Sequence, residues 1–239
     1  MGSEKSKAKN LWPILWENID GRTLGDPFFG CAKMSDKVDG KRIGADFNDY
    51  LIAMWKELQN GWTPPDFVSE EKWRDVKTQM ENKYEKHYIA FVRLGCSFGA
   101  DWNGGYARNV RKDKPNAELL NSTTKSYCGQ SKRNILKQLP NLKDVEFLYS
   151  NYQDLEIPDN SLIYCDPPYE GTTKYKDDFN HVYFWEWCRT KAKQGHLVYV
   201  SEYNAPKDFE CVYSSEINNT LNNTSKTTKA TEKLFVYCG

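Results

Sequence analysis

One short stretch of this sequence places three chemically useful groups side by side. An apolar, β-prone run, Leu162–Cys165, ends abruptly in the turn Asp166-Pro167-Pro168-Tyr169. A buried strand would therefore deliver a carboxylate, a backbone carbonyl and an aromatic ring to one point at its C-terminal end. The two prolines fix φ and hold the carbonyl in place. This arrangement is suited to binding a flat ring that carries an amine.

The chemistry that these groups can perform is the activation of an exocyclic amine. The amino group of adenine is a poor nucleophile, because its lone pair is delocalised into the ring. The Asp166 carboxylate and the Pro167 carbonyl can each accept a hydrogen bond from that amine, which frees the lone pair for an electrophilic methyl group. Tyr169 can stack on a base flipped out of a helix. The alternative is a strand-ending turn with a chance aromatic residue, because Pro-Pro is common at turns.

Three further polar motifs follow predicted strands. They are Asp26-Pro27-Phe28-Phe29-Gly30, Ala45-Asp46-Phe47-Asn48 and Asn151-Tyr152-Gln153-Asp154. In an open parallel sheet these strand ends share one edge, where ligands bind. A turn at Gly30 lets the backbone approach a ligand closely. Asp46, about 16 residues further on, is placed like the acid that binds ribose hydroxyls in nucleotide sites. Asp154 is positioned to reach an adenine amino group, with solvation of a loop as the alternative explanation.

The composition limits the class of protein. The chain has 239 residues, 39% of them hydrophobic, and its 33 acidic and 33 basic side chains balance. This is typical of a globular protein, and any surface that binds nucleic acid must be local. Seven scattered cysteines, none in C-x-x-C spacing, argue against zinc and favour reduced thiols in a cytoplasm. We expect no metal site and no membrane span, because no apolar stretch approaches roughly 20 residues.

The elements that must position these groups alternate between strands and helices. Strand patterns cover residues 23–28, 42–47, 145–149, 162–165, 196–200, 210–217 and 233–237, and helical patterns cover residues 11–19, 49–59 and 179–193. This alternation predicts an α/β fold with a mostly parallel sheet and helices on both faces. The polar, mostly helical residues 62–140 predict a lobe inserted into a catalytic domain that is formed by residues 1–61 and 141–239.

A glycine-rich segment at residues 95–112 mixes aromatic and basic side chains. It contains Trp102, Tyr106, Arg108, Arg111 and Lys112. Basic side chains can neutralise phosphates, and an aromatic ring can enter the gap that a flipped base leaves. The segment therefore predicts a contact with nucleic acid, and a solvated turn with core aromatics is the alternative.

These motifs closely resemble those of the Dam-like, phage-encoded DNA adenine methyltransferases over nearly the whole chain. The matching stretches are residues 1–3 with Lys5, and residues 26–30, 44–48, 96–99, 104–108, 164–172, 201–206 and 232–235. The order of the motifs also matches, with the cofactor loop first, the recognition insert next and Asp-Pro-Pro-Tyr last.

The resemblance implies a Rossmann-like enzyme that uses S-adenosylmethionine (SAM) and flips adenine out of double-stranded DNA to methylate its amino nitrogen. Combined with the patterns above, it assigns catalysis to Asp166, Pro167, Pro168 and Tyr169. It assigns cofactor binding to Lys5, Asp26, Pro27, Phe28, Gly30, Cys31, Asp46, Phe47, Asn48, Tyr152, Asp154 and Asp166. It assigns DNA binding to Ser97, Trp102, Tyr106, Arg108, Arg111 and Lys112.

Three residues depart from the pattern of that family. Cys31 stands where a second small residue, often Gly, is usual, Lys33 stands where Asn is common, and Glu4 interrupts the N-terminal Gly-Ser-Lys pattern. These departures keep open a non-catalytic relative that binds DNA or SAM. Methylation of the cytosine amino group and an RNA substrate also remain alternatives. Cytosine carbon-5 methylation would need a nucleophilic cysteine that follows a proline. We reject it, because Cys165 precedes Asp166 and points to the opposite face of the strand from Asp166.

Overall fold

The structure is a computed structural model that describes residues 2–108, 126–170, 179–219 and 228–239. The chain divides into two units. The sheet unit contains Gly2–Phe47 and Ser150–Gly239, and the helical unit contains Asn48–Tyr149. The predicted insertion, residues 62–140, falls within the helical unit, which also includes the helix and the strand that flank that insertion in sequence.

The sheet unit is built on a mixed sheet. The strands of the described residues are β1 (Leu24–Asp26), β2 (Arg42–Asp46), β3 (Val145–Tyr149), β4 (Leu162–Cys165), β5 (Leu197–Glu202), β6 (Phe209–Asn219) and β7 (Thr228–Tyr237). Those of the sheet unit lie in the order β2-β1-β4-β5-β7-β6. The first four of these run parallel, whereas β7 runs antiparallel to β5 and β6 antiparallel to β7. The predicted α/β class with a mostly parallel sheet is confirmed.

Helices occur in both units. They are α1 (Gly2–Ile19), α2 (Asp49–Gln59), α3 (Glu70–Gln79), α4 (Lys86–Ala90), α5 (Tyr127–Gln138) and α6 (His181–Lys193). A π-helical turn, Phe91–Gly95, continues α4. Short 3-10 turns are Ser35–Lys37, Met80–Asn82, Phe98–Ala100 and Leu139–Leu142. The helical unit therefore holds α2 to α5, and the sheet unit holds α1 and α6.

The central strand β4 is buried against helices on both faces. Leu162 and Tyr164 pack in one apolar cluster with Leu15 of α1. The intervening Ile163 packs in a second cluster with Phe184 of α6. Because successive side chains of a strand point to opposite faces, α1 and α6 cover opposite faces of the sheet, as predicted.

Helix α1 begins earlier than residue 11, where the apolar pattern begins. It runs from Gly2 to Ile19 and contains Pro13 in its interior. An interior proline removes one backbone hydrogen bond and clashes with the preceding turn. The helix is nevertheless stabilised by an apolar stripe of side chains four residues apart. These side chains are buried, with 0% of Leu11, 1% of Leu15 and 8% of Ile19 exposed.

The C-terminal strands β6 and β7 pair antiparallel at one edge of the sheet. β7 lies between β5 and β6, so β6 alone forms that edge of the sheet. Leu234 and Phe235, successive residues of β7, are both buried, which is typical of an interior strand. β6 carries the exposed Glu210 and Cys211, which suit an edge strand.

Candidate active site

The Asp166-Pro167-Pro168-Tyr169 turn begins directly after β4, at the carboxyl end of the strand between β1 and β5. Pro167 is buried, and the other three residues are half-buried. The Tyr169 ring meets the Tyr203 ring edge-on, with 4.7 Å between the centroids. The turn therefore holds its carboxylate and its aromatic ring close to the ligand-binding edge expected for parallel strands.

A buried carboxyl lies at the end of the neighbouring strand β1. Asp26 is 3% exposed, and its Oδ2 accepts a hydrogen bond of 3.0 Å from Ser35 Oγ. Its Oδ1 is buried and has no hydrogen-bond partner among the described residues. The pKa of Asp26 is raised to about 8, mainly by burial, with the hydrogen bond from Ser35 lowering it and the charges of Asp166 and Asp46 raising it. Carboxyl groups from β1, β2 and the loop after β4 are thus close enough to interact.

The loop after β1 is fastened to the end of β2. The Gly30 N–H donates a hydrogen bond of 3.0 Å to Asp46 Oδ2, and the Phe29 N–H donates one of 2.9 Å to the Ala45 carbonyl. Gly30 has a φ of +48°, in the left-handed region that favours glycine. A Cβ at Gly44 would overlap the Phe29 ring. Asp46 therefore orients the Gly30 turn in addition to presenting a carboxylate.

Lys33, one of the residues that depart from the family pattern, lies within this acidic group. Burial lowers its pKa to about 8, although the negative charges of Asp166 and Asp36 act in the opposite direction. From the sequence, a lysine at this position could either help to hold the cofactor carboxylate or hinder cofactor binding. The structure places its ammonium group where it offsets the charge of Asp166.

A second buried carboxylate could not be recognised from the sequence. Glu202, the last residue of β5, is 2% exposed. It lies in the matched stretch 201–206, but nothing local in the sequence distinguishes it from an exposed acid after a strand. Its Oε2 accepts one hydrogen bond of 3.1 Å from the backbone N–H of Glu170, in the loop that follows β4.

Two of the predicted cofactor residues belong to an aromatic cluster. The rings of Phe28 and Tyr152 have centroids 5.5 Å apart, and Tyr152 is 5.3 Å from Trp187. Phe179 and Phe184 complete the cluster. Phe28 is half-buried and Tyr152 is buried, so Phe28 is the better placed of the two to contact a ligand.

The remaining predicted cofactor residues are more scattered. Pro27 is buried, Cys31 is exposed, and Phe47 is 71% exposed. Lys5 lies in α1, and its side chain is outside the described part of the structure. Cofactor binding by these residues stays a prediction.

Asn48 caps a helix, and Asp154 lies at an open cavity. The Asn48 side chain accepts a hydrogen bond of 3.2 Å from the Leu51 N–H, so it caps α2 in the helical unit. Asp154 is exposed and lines an open cavity with Lys191 and His196, which lies just before β5. Cofactor binding by these two residues also stays a prediction.

Four of the predicted DNA-binding residues lie on a short hairpin of the helical unit, namely Ser97, Trp102, Tyr106 and Arg108. Ser97 and Tyr106 pair as an antiparallel bridge. Ser97 is buried, and its Oγ accepts a hydrogen bond of 3.0 Å from Trp73 Nε1. The Tyr106 hydroxyl donates one of 2.7 Å to the Val68 carbonyl, and burial raises the pKa of Tyr106 to about 12. Ser97 and Tyr106 therefore anchor the hairpin within the unit.

Other side chains of the hairpin also have partners. Arg108 Nε donates a hydrogen bond of 2.8 Å to Glu70, and the Arg93 guanidinium lies 4.7 Å from the centroid of the Trp102 ring. Phe98, which carries no distinctive signal in the sequence, is 60% exposed. Arg111 and Lys112 lie outside the described residues, as do Gly171 and Thr172 of the matched stretch after Tyr169. A DNA contact by this hairpin stays a prediction.

The described part of the chain contains no group of three or more His, Cys, Asp or Glu side chains arranged to hold a metal ion. In the same residues, no helix is both long enough and apolar enough to cross a bilayer.

The burial of Asp26 predicts a specific pH dependence of stability. Folding raises the pKa of Asp26 from 3.8 to about 8, so over that interval the folded protein holds a proton that the unfolded chain has lost. This carboxyl therefore lowers the free energy of unfolding as pH rises from about 4 to 8. Asp26→Asn should make that decline shallower in urea titrations.

The exposed carboxylate of Asp39 provides a control for this measurement. Asp39→Asn should leave the pH dependence of the wild type unchanged. Equal slopes for Asp26→Asn and the wild type would contradict the burial of an uncompensated carboxyl at Asp26.

Comparison with known proteins gives no family assignment. No protein-family model matches the chain, and no curated protein matches it. Among solved structures, the rRNA methyltransferase AviRa of Streptomyces viridochromogenes has a TM-score of 0.45 at 11% identity, over 98% of this chain and 84% of its own. PH1948 of Pyrococcus horikoshii, provisionally described as an RNA methyltransferase, has a TM-score of 0.41 at 12% identity. The match covers 97% of this chain and 83% of PH1948.

A third similar structure is SMU.472, provisionally described as a methyltransferase and solved in complex with SAH. It has a TM-score of 0.38 at 12% identity, over 98% of this chain and 52% of its own. At these TM-scores and identities, the similarities carry no argument about the chemistry of this chain.

Proposed function

We propose that this chain is a SAM-dependent methyltransferase that acts on the exocyclic amino nitrogen of adenine in double-stranded DNA, which it reaches by base flipping. The observation that carries the proposal is the Asp166–Tyr169 turn at the carboxyl end of β4, within electrostatic reach of the buried Asp26. A carboxylate, a rigid carbonyl and a ring at this edge supply what amino methylation of a base requires.

The residues present suit a positively charged cofactor. Asp46 and Asp166 place two carboxylates near Asp26, whose buried carboxyl has a pKa of about 8 and keeps one oxygen without a partner among the described residues. A bound cation stabilises such a group by its charge, the more so because the site is partly buried. SAM, when bound, supplies an electrophilic methyl group on a positively charged sulfur.

Each part of this edge has a proposed task in binding SAM. Asp46 accepts hydrogen bonds from ribose hydroxyls, and the Gly30 turn, which Asp46 orients, lets the backbone approach the ligand. Phe28 provides an apolar wall. Lys33 is placed to bind the carboxylate of the cofactor, which gives this departure from the family pattern a constructive role.

The target amine is bound by the turn itself. The Asp166 carboxylate and the Pro167 carbonyl accept hydrogen bonds from the two amine protons, so the nitrogen lone pair is drawn out of conjugation with the ring. Pro168 stiffens the turn, and Tyr169 stacks on the flipped base. No covalent bond between the chain and the base is required, because the amine nitrogen would gain the methyl group that leaves the cofactor sulfur and would lose one of its two protons, for which the Asp166 carboxylate is the proposed acceptor. The hairpin with Trp102, Arg108 and the exposed Phe98 is the proposed contact with the duplex.

The stacking role of Tyr169 is tested by two substitutions. Tyr169→Ala should lower methyl transfer substantially, because base stacking contributes about 1–3 kcal/mol per base. Tyr169→Phe keeps the ring and should retain most of the activity. Initial rates with radiolabelled SAM measure both variants. If Phe impairs transfer as much as Ala does, the hydroxyl matters and the stacking role is wrong.

Substrate class is tested by offering the same sequences as duplex DNA and as RNA. The proposal predicts that radiolabelled methyl groups from SAM enter the DNA. Label in RNA alone would favour the RNA alternative. Stabilisation by SAM without transfer to either polymer would favour a non-catalytic relative.

A further inference from the structure

Glu202, at the end of β5, contacts the loop that carries the proposed catalytic residues. In the parallel pairing of β4 with β5, Cys165 lies opposite Val200. β5 continues two residues beyond this pair to Glu202, whereas β4 ends at Cys165 and the chain enters the Asp166–Tyr169 turn. The Glu202 side chain is 2% exposed, so its carboxylate is held inside the protein beside the loop.

The carboxylate bridges two segments of backbone. Oε1 of Glu202 accepts a hydrogen bond of 2.7 Å from the N–H of Tyr203, and Oε2 accepts one of 3.1 Å from the N–H of Glu170. Tyr169, which precedes Glu170, packs its ring edge-on against Tyr203 at an interplanar angle of 86°. One side chain thus fixes the backbone next to both members of this ring pair.

We propose that Glu202 is a positioning residue whose ionised carboxylate fixes the loop after β4 to the end of β5. This contact holds the Pro167 carbonyl and the Tyr169 ring in the geometry that the target base requires. The effect on catalysis rests on the proposed function. The two hydrogen bonds that Glu202 accepts, from Tyr203 and Glu170, are a property of the fold, and we call them the clamp. An ionised carboxylate suits this task because both of its oxygens accept hydrogen bonds, whereas a protonated carboxyl also carries a donor.

Charged groups face Glu202 from two neighbouring segments. Asp166 and Glu170 approach from the loop after β4, and Lys233 of β7 is the register partner of Glu202. Burial raises the pKa of Glu202 to about 7, with the N–H groups of Tyr203 and Glu170 lowering it and the charges of Glu170 and Asp166 raising it. Acidification through this range therefore protonates the carboxylate and weakens the clamp.

Hydrogen exchange tests the clamp independently of catalysis. Above pH of about 7, the amides of Tyr203 and Glu170 should be protected in the wild type, and protection should decline as pH falls through that value. Glu202→Gln, which is nearly isosteric but turns a donor toward one N–H, should lower their protection roughly tenfold. Glu210→Gln, at an exposed carboxylate of β6, should leave it unchanged. Full protection in Glu202→Gln overturns the proposal.

Steady-state kinetics then test the positioning role. Glu202→Gln should lower kcat roughly a hundredfold, as expected when reacting groups are misplaced, while KM for SAM stays within about twofold of the wild type. It should also remove the fall in kcat that the wild type shows on acidification through a pH of about 7. A wild-type kcat in Glu202→Gln overturns the positioning role. If the wild type itself transfers no methyl group, the proposed function fails, and the exchange result alone decides the clamp.

Discussion

Replacing Asp166 with alanine should reduce kcat for methyl transfer by more than about a hundredfold, as expected when a group aligned with the reacting atom is removed. Asp166 directly follows β4 and interacts through its charge with Asp26, Lys33 and Glu202. Without its carboxylate, the target amine keeps the Pro167 carbonyl as its only proposed acceptor, so its lone pair stays delocalised. Single-turnover transfer from radiolabelled SAM to duplex DNA measures this loss.

The fold should survive this substitution, because Asp166 is a half-buried loop residue. An unchanged thermal unfolding transition would show that the loss of activity comes from lost chemistry. Asp39→Ala, at an exposed carboxylate of the sheet unit, is the matched control and should retain wild-type kcat. Activity above roughly a tenth of the wild type in Asp166→Ala would be too high for the proposed role.

Asp46→Ala should abolish most of the thermal stabilisation that SAM gives the wild type. A ligand that binds the folded state raises the unfolding temperature by mass action. The variant removes the proposed acceptor for the ribose hydroxyls and also the carboxylate that accepts from the Gly30 N–H at 3.0 Å. Both losses weaken binding at the same place, so thermal shifts at equal SAM concentrations should differ strongly between the two proteins.

Asp46→Asn separates these two contributions. Its amide oxygen can still accept from the Gly30 N–H, whereas the negative charge is gone, so an intermediate shift is expected. Asp39→Ala should show the full wild-type shift. If Asp46→Ala also shows the full shift, then Asp46 serves only to hold the Gly30 turn.

The elements around the site could be predicted from sequence where each carries its own local signal. The apolar run before Asp166 predicted a buried strand, and β4 has the same bounds. The apolar spacing in residues 49–59 likewise predicted α2, which Asn48 caps. The turn after β4 was found because its unusual residue types stand together in the chain.

Features that depend on contacts between distant residues could not be predicted in this way. Glu202 meets Glu170 across 32 residues of sequence, and a lone acid at the end of a strand gives no sign of that contact. The burial of Asp26 depends on Ser35 and on neighbouring strands. Similarly, the sequence alone does not show whether a polar residue such as Ser97 contacts DNA or accepts a hydrogen bond inside the protein.

The most direct test of the proposed activity is mass spectrometry of nucleosides from duplex DNA of mixed sequence after incubation with the protein and SAM. We expect adenine methylated at its amino nitrogen with the wild type, and none with Asp166→Ala. Methylation of the cytosine amino group without methyladenine would contradict the assignment of the base. DNA that carries no new methyl group, from a protein that SAM still stabilises, would contradict the claim that this chain is a DNA methyltransferase.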